Sequence, residues 1–296
     1  MRPFVAIGSV TVDRLEGGER LGGSALYAAI CARNLGYLPR ILTSAPDAVL
    51  RKIAEEFGIE ALSKPTPTAT TFEHAYRGAT GERESRCTAV APPMDPDWMS
   101  PWLRESAPTV VCPNVHDVPV EALDRIPSER VLLLPQGWFR RILDSRVVHV
   151  NALDSVGRGF RRVSWVVASR QDLSGNFFSG QDWCRSAAIY SVVTDGAHAM
   201  MLHHRGEETA MLPVRPVRDA DPTGAGDVFS TAAFLAWCEG VPFGAAVMVG
   251  SLAASAKIER PGFGGIPTRV SLMEVARDTL EGSDFEQVEG FFKEKR

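Results

Sequence analysis

The chain has 296 residues, which is enough for one large α/β domain or two smaller ones with a sizeable buried core. Hydrophobic residues make up 45% and charged residues 23%, the balance of an ordinary globular protein. The net charge of -4 argues against a nucleic-acid partner, although a locally positive helix terminus could still bind a phosphorylated small molecule. Five widely spaced cysteines predict reduced thiols. Neither a signal peptide nor a membrane span is evident, so we expect a cytoplasmic protein with no membrane partner.

The N-terminal residues predict a buried strand that leads to a candidate ligand residue. Residues 4–7 are an apolar run ending at Gly8, and residues 10–13 are predicted to continue the strand as far as Asp13. A carboxylate at a strand end lies where α/β sheets bind their ligands, and it can accept two hydrogen bonds from a polyol. The alternative is an ordinary turn aspartate, which the residues alone favour.

A pair of glycines precedes the first predicted helix. Gly22 and Gly23 allow a ligand to approach the backbone closely, and Ser24 is suited to cap the helix. Alanine and leucine recur at helical spacing up to Gly36, which fits the C-terminal cap. Tyr27 lies on this helix, where packing in the core could explain an aromatic side chain.

The following residues predict alternating strands and helices. Strands at 40–43 and 59–62 enclose a helix at 48–57, which gives a β-α-β order with right-handed crossovers. Further buried strands are predicted at 163–168 and 189–194. Together these elements predict an α/β fold with a doubly wound, mostly parallel sheet and helices on both faces.

A β-hairpin is predicted within this α/β pattern. Residues 70–76 and 83–89 are rich in β-forming residues and enclose a turn at 77–81. Such an insertion suggests a small sheet lying over the main one. A plain surface hairpin is the alternative.

Polar residues follow two more predicted strands, at 109–112 and 131–134. Asn114 and Gln136 come directly after these strands, and strand C-termini line the crevice of a doubly wound sheet. Both are therefore candidate ligands. Arg140 could pair with a phosphate or simply be solvated.

The most informative stretch is residues 221–227, Asp-Pro-Thr-Gly-Ala-Gly-Asp, which leads into a long apolar run predicted to be a buried helix. Gly224 and Gly226 let an anion approach the backbone, and the helix N-terminus offers free N–H groups and partial positive charge. This combination is typical of a phosphate site. Asp227 would face that anion, and general-base chemistry on an attacking hydroxyl explains a carboxylate there.

Other interpretations of this loop are weaker. The glycines are not followed by Gly-Lys-Ser/Thr, so it is not a Walker A loop. Their spacing and late position also differ from a dinucleotide fingerprint. A tight turn with an acidic residue in the first helical turn remains the simplest alternative.

These two glycine-containing stretches carry a family resemblance. Asp-Pro-Thr-Gly-Ala-Gly-Asp closely resembles the C-terminal signature of the ribokinase-like, or PfkB-type, carbohydrate kinases, and the stretch at Gly22-Gly23 resembles their N-terminal signature. Three departures stand out. Thr231 stands where the family usually has Gly, Ala, Ser or Val, Tyr27 replaces a common sugar-binding asparagine, and neither Ser169…Asp172 nor Ala168…Gln171 keeps the family's Asn-x-x-Glu pattern.

The resemblance implies one ribokinase-like domain over residues 1–296, with lid strands from about 10–20 and 68–90. It implies that Asp227 is the catalytic base, and it leaves the metal-supporting residue open, with Asp172 as a candidate that would act through water. The implied anion hole is Gly224, Ala225 and Gly226. The implied substrate-binding residues are Asp13, Gly22, Gly23, Tyr27, Asn114 and Gln136. The implied ATP-binding residues are Thr194, Gly196, Thr223, Gly224, Gly226 and Ala254.

The implied activity is transfer of the γ-phosphoryl group of ATP to a hydroxyl of a small sugar or polyol. The inositol-kinase branch is favoured by Tyr27, the short lid and the run at 134–139. A nucleoside kinase and a non-catalytic nucleotide- or sugar-binding relative are the alternatives. The resemblance also implies Mg2+ as cofactor, is compatible with a monovalent cation, and allows either a monomer or a homodimer.

Overall fold

The structure is a computed structural model that describes residues 2–15, 18–77, 82–149, 163–173, 177–204, 210–212, 217 and 220–293. The strands in these ranges are β1 (Arg2–Ile7), β2 (Thr11–Leu15), β3 (Gly18–Gly22), β4 (Tyr37–Thr43), β5 (Glu60–Ser63), β6 (Thr71–Arg77), β7 (Glu82–Ala89), β8 (Thr109–Val111), β9 (Val131–Leu133), β10 (Arg140–Leu143), β11 (Arg146–His149), β12 (Trp165–Ser169), β13 (Tyr190–Thr194), β14 (Met200–His204) and β15 (Ala210–Leu212).

The α-helices in the same ranges are α1 (Ser24–Asn34), α2 (Asp47–Phe57), α3 (Pro96–Met99), α4 (Phe177–Ala187), α5 (Ala225–Cys238), α6 (Phe243–Ile258), α7 (Arg269–Thr279) and α8 (Gly282–Phe292). Short 3-10 helices lie at Ser100–Trp102, Val120–Arg125, Pro135–Phe139 and Gly262–Gly265.

Nine strands form the main sheet, in the order β15-β14-β13-β12-β9-β8-β1-β4-β5. The strands from β13 to β5 pair in parallel, whereas β14 and β15 add an antiparallel edge. Alternate residues of β1 enter different cores. Phe4 and Ala6 join the core under α1, α5 and α6, while Val5 and Ile7 join the core under α3 and α4. Helices therefore cover both faces, and the predicted doubly wound, mostly parallel α/β fold is confirmed.

A second sheet has six strands in the order β10-β11-β7-β6-β2-β3. It contains the β6–β7 hairpin, of which the turn residues 78–81 lie outside the described part of the chain. The hairpin of β10 and β11 was not anticipated from the sequence. It pairs with β7 through Arg146 and Arg86, and Ile142 and Val147 pack on a small cluster with Phe72. The second sheet therefore contains two strands, β10 and β11, beyond the lid strands predicted at 10–20 and 68–90.

The prediction that residues 10–13 continue the first strand is wrong. The chain leaves the main sheet after Ile7, and the backbone N–H groups that follow donate hydrogen bonds to side chains from distant parts of the chain. Ser9 donates to Asp117 at 2.6 Å, and Val10 donates to the Thr43 hydroxyl at 2.9 Å. Asp13 consequently lies inside β2 of the second sheet and not at a strand end of the main one.

Among the described residues, no helix combines the length and apolarity that a bilayer crossing needs. All five cysteines are free thiols, and four of them are buried.

A buried ion pair joins the C-terminal helices to the rest of the core. Arg269, the first residue of α7, donates to Glu239 at 2.6 Å and to the Leu35 carbonyl at 2.7 Å, and the Glu239 side chain is 1% exposed. We expect Arg269→Ala to lower the free energy of unfolding by about 3 kcal/mol, because it leaves a buried carboxylate with fewer partners. The midpoints of denaturant-induced unfolding measure this loss of stability, and substitution of the exposed Arg277 by alanine is the control. Equal midpoints for both variants would contradict it.

Candidate active site

A cavity of about 630 Å3 lies where the second sheet faces the N-terminus of α5. Its lining comes from β2, β6, β10 and β11, from the start of α1, from the segments that follow β8, β9 and β12, and from the loop before α5 with the first turn of that helix. Nine of the predicted site residues line it: Asp13, Gly23, Tyr27, Asn114, Gln136, Thr223, Gly224, Gly226 and Asp227. The sequence thus identified residues from distant parts of the chain that the fold brings together.

Six predicted residues do not line this cavity: Gly22, Ala225, Asp172, Thr194, Gly196 and Ala254. Thr194 ends β13, and Gly196 occupies the turn after it with a φ of 58°. Ala254 packs on the main core from α6. The predicted ATP-binding residues therefore divide between the cavity and the surface beside β13 and α6, and their role stays a prediction.

The loop before α5 has the geometry of an anion site. Gly224 is the N-cap of α5 with a φ of 78°, a conformation that favours glycine. Its carbonyl accepts from the N–H of Val228 at 3.0 Å, and the N–H of Ala225 is engaged with the Pro222 carbonyl at 3.1 Å. The first N–H groups of a helix have no partner within it, so those of Gly226 and Asp227 are the groups suited to an anion.

The ring of Tyr27 packs against one side of this loop. A methyl group on Gly224 would stand 2.2 Å from the Tyr27 ring, so the ring lies directly against the glycine. The same ring packs on Phe263, with 4.7 Å between centroids. Tyr27 is 4% exposed, although its edge reaches the cavity. It is therefore both a core residue and part of the cavity wall, so the two interpretations of the sequence are compatible.

Asp227 lies in the first turn of α5 and is half-buried. Burial raises the pKa of Asp227 to about 6, against the opposing effects of a Ser24 hydrogen bond and the positive charge of Arg140. The negative charge of Asp172 adds to the rise. A carboxylate with a pKa near neutrality suits a general base, because it is ionised at pH 7 yet still accepts a proton readily.

The Ser24 hydroxyl has a different role from the predicted cap. Gly23 is the N-cap of α1, with a φ of 93° and no side-chain cap hydrogen bond. Ser24 is the first helical residue, lines the cavity and hydrogen-bonds to Asp227. The sequence did not reveal this contact, because the two residues are far apart in the chain.

Asp13 lies across the cavity on β2 and is 7% exposed. It accepts a hydrogen bond from the Thr11 hydroxyl at 3.0 Å. A methyl group on Gly22 would stand 2.5 Å from an Asp13 carboxylate oxygen. Gly22 therefore acts by making room for that carboxylate, which explains why it does not line the cavity itself.

Asp117 is a residue that the sequence analysis missed. It is 1% exposed, and its carboxylate accepts from the backbone N–H groups of Ser9 and Asn114, both at 2.6 Å. It thus joins the turn after β1 to the turn after β8 and fixes Asn114 at the cavity. The Asn114 side chain in turn accepts from Arg140 at 3.4 Å. Arg140 also lines the cavity and supplies positive charge there.

No cluster of three or more candidate metal ligands occurs within the described ranges. Asp172 is engaged with protein groups, since it accepts from the Gln136 amide at 3.0 Å and from the Ser169 hydroxyl at 2.7 Å. Mg2+ commonly keeps several waters and takes further ligands from substrate phosphates, so a kinase does not need a full protein cage for it. A magnesium ion held mainly by a donor's phosphates would therefore fit this cavity, and a water-mediated role for Asp172 stays a prediction.

Comparison with known proteins agrees with the fold and the loop. Residues 189–269 match the pfkB family carbohydrate kinase model, and this segment contains the loop before α5. No curated protein sequence matches the chain significantly.

Several solved structures share the fold over nearly the whole chain. A pyrophosphate-dependent kinase of the ribokinase family, complexed with a pyrophosphate analog and myo-inositol, has a TM-score of 0.70 at 17% identity and covers 92% of this chain and 99% of its own. Ribokinase from Arabidopsis thaliana, complexed with ribose and ATP, has a TM-score of 0.69 at 18% identity, with 93% and 98% covered. The Methanocaldococcus jannaschii nucleoside kinase has a TM-score of 0.69 at 12% identity, with 94% and 99% covered.

The family match and the shared fold confirm the predicted resemblance to the PfkB-type carbohydrate kinases.

Proposed function

We propose that the protein transfers the γ-phosphoryl group of ATP to a hydroxyl of a small sugar or polyol, with Asp227 as the general base. The observation that carries this proposal is the position of Asp227. It lies in the first turn of α5, has a pKa raised to about 6 by burial, and shares one cavity with Asp13. A merely structural aspartate in a first helical turn would not need this environment.

An inositol-like polyol is the favoured acceptor. The cavity offers carboxylate, amide and guanidinium groups from Asp13, Asn114 and Arg140, which suit a ring that carries several hydroxyls. Tyr27 occupies the place of a common sugar-binding asparagine and packs against the loop. One protein with this fold is a myo-inositol kinase, and another is a kinase complexed with myo-inositol. A nucleoside kinase is the alternative, since one of those proteins acts on nucleosides.

ATP is the proposed donor, and the ribokinase complexed with ribose and ATP supports it. Pyrophosphate is the competing donor, because other proteins with this fold depend on it. Thr194, Gly196 and Ala254 would border the nucleotide in the ATP case only, since they lie outside the cavity.

The chain's own groups account for the remaining steps. Asp13 and Asn114 orient the acceptor, Asp227 takes the proton from its attacking hydroxyl, and the N–H groups at the start of α5 stabilise charge on the transferring phosphoryl group. Bound magnesium would neutralise charge on the donor's phosphates. The second sheet would exclude water as a competing acceptor. The free cysteines support the predicted cytoplasmic location, and the fold is compatible with a monomer or a homodimer.

The dependence of kcat/KM on pH should have an acid limb near pH 6. Asp227 must be ionised to accept a proton, so kcat/KM falls as pH drops below its pKa and is flat above it. Ser24→Ala should shift this limb to higher pH, because its hydrogen bond favours the ionised carboxylate. Steady-state rates between pH 5 and about 8.5 measure both profiles. An unshifted limb in Ser24→Ala would contradict the assignment.

A matrix of donors and acceptors tests the function itself. Magnesium-ATP and magnesium-pyrophosphate are each incubated with inositols, hexoses, ribose and nucleosides, and phosphorylated products are identified by mass spectrometry. Phosphorylation of a polyol from ATP supports the proposal in full. Product from nucleosides alone, or from pyrophosphate alone, would replace its acceptor or its donor. No product in any pair would favour the non-catalytic binding protein.

A further inference from the structure

A buried lysine lies beside the loop before α5, residues 221–227, which is the proposed phosphate-binding loop. Lys257, in the last turn of α6, is 0% exposed. Its ammonium donates to the Asp221 carbonyl at 3.0 Å and lies 3.5 Å from the Asp221 carboxylate. A buried charge of this kind is costly, and replacing such a pair by apolar residues is often neutral or stabilising. A contribution to folding stability is therefore a weak explanation for a buried charge at Lys257. A role in shaping the loop before α5 explains it better.

Asp221 connects this ammonium to the loop. Its carboxylate accepts from the N–H of Thr223 at 3.0 Å and from the N–H of Gly262 at 2.8 Å. Its own N–H donates to the Ile258 carbonyl at 3.0 Å. The residue after Thr223 is the N-cap of α5, so Lys257 reaches the phosphate-binding turn through one intervening residue.

The surroundings of the ammonium resemble a monovalent-cation site that is already filled. A singly charged ion needs an enclosed place with carbonyl and carboxylate oxygens, and Asp221 supplies both kinds. The loop at 262–265 closes over the lysine, because a methyl group on Gly265 would meet the Lys257 carbonyl at 2.5 Å and its Cδ at 3.1 Å. A sodium or potassium ion beside this loop would therefore have to compete with a covalently attached cation.

We propose that the Lys257 ammonium acts as a built-in monovalent cation that holds the phosphate-binding loop in shape, so that the protein requires no sodium or potassium ion there. The proposal rests on the proposed kinase function for its effect on turnover. Lys257 is a positioning residue, since it acts through Asp221 and does not line the cavity. The monovalent cation with which the family resemblance is compatible does not fit these residues.

The first test compares the wild-type protein in potassium chloride and in tetramethylammonium chloride at equal ionic strength. Tetramethylammonium is too large for an enclosed cation site. We expect the same kcat and the same melting temperature in both salts. A potassium requirement in the wild-type protein would overturn the proposal.

The second test removes the lysine. In tetramethylammonium chloride, Lys257→Ala should lower kcat by about tenfold or more with little change in the acceptor KM, because the loop that stabilises the transition state is displaced. Potassium can enter the space that the side chain leaves, so potassium chloride should restore kcat and raise the melting temperature of this variant. Lys257→Met fills that space without charge and should be impaired in both salts. Exposed Lys64→Ala should behave as the wild-type protein.

The outcomes separate this proposal from the kinase proposal. The melting temperatures need no substrate, so a potassium-dependent rise in Lys257→Ala supports the built-in cation even if no acceptor is phosphorylated. Full activity of Lys257→Ala without potassium, or equal rescue of Lys257→Met, would overturn it. If Lys257→Ala does not fold in any salt, the Asp221→Asn/Lys257→Met double variant removes both charges. It should fold with a reduced kcat in either salt, and a wild-type kcat would overturn the proposal.

Discussion

Replacing Asp227 by asparagine is expected to lower turnover by about a hundredfold or more while the fold is kept. The amide has nearly the same shape and can still meet Ser24, but it cannot take the proton of the attacking hydroxyl. Burial raises the pKa of Asp227, so ionising this carboxyl group lowers the stability of the folded protein. The loss of stability begins as the pH rises above the unfolded-state pKa and is complete above about pH 6. The melting temperature of the variant at pH 8 should therefore equal or exceed that of the wild-type protein.

Asp284→Asn provides the matched control for this variant. Asp284 is also an aspartate in the first turn of a helix, but it is exposed on α8 and remote in sequence from the cavity residues. We expect wild-type turnover from it. A variant of Asp227 that keeps most of its activity would contradict the role of general base, whereas a loss shared with Asp284→Asn would point to a general effect of charge.

Gly224→Ala should be the second most damaging substitution. Its φ of 78° costs an alanine about 1–2 kcal/mol, and the new methyl group would stand 2.2 Å from the Tyr27 ring. That ring is held by Phe263, so it cannot turn away freely. Overpacking of this kind adds about 1–3 kcal/mol, and any displacement of the loop lowers turnover as well. Chemical unfolding and steady-state kinetics measure the two effects.

Two further variants separate the backbone from the clash. Gly240 has a φ of 96° with open space around it, so Gly240→Ala reports the backbone cost alone. Adding Tyr27→Ala to Gly224→Ala should give a double variant that is less destabilised than the sum of the single changes, by about 1–3 kcal/mol. Additive effects would show that the ring does not fix the loop.

The sequence was sufficient to predict the fold class because the strands and helices carry strong local patterns. The buried strands at β8, β9 and β12 are apolar runs, and α2 ends at Gly58 with a φ of 62°, as a glycine stop predicts. Elements without such signals were missed. The helix α7 begins with a capping box of Thr268 and Ser271, which lacks the usual glutamate or glutamine and gave no recognisable signature.

The candidate site was predictable as far as its loops have sequence signatures. The glycine pair at Gly22-Gly23 and the loop before α5 predict that a ligand can approach the backbone closely and that an anion can bind. These predictions need only the local sequence. The contacts that tune these loops join distant residues, such as Ser24 with Asp227 and Lys257 with Asp221, and no local pattern encodes them. The course of the chain after Ile7 was mispredicted for the same reason, because side chains from distant residues determine it.

The most direct test of the proposed kinase is phosphoryl transfer from magnesium-ATP to myo-inositol and related polyols, followed by phosphorus NMR, with wild-type and Asp227→Asn protein side by side. We expect one phosphorylated polyol from the wild-type protein and about a hundredth of that rate or less from the variant. Equal product from both proteins, or tight ATP binding by the wild-type protein without any product, would contradict a kinase that uses Asp227 as its base.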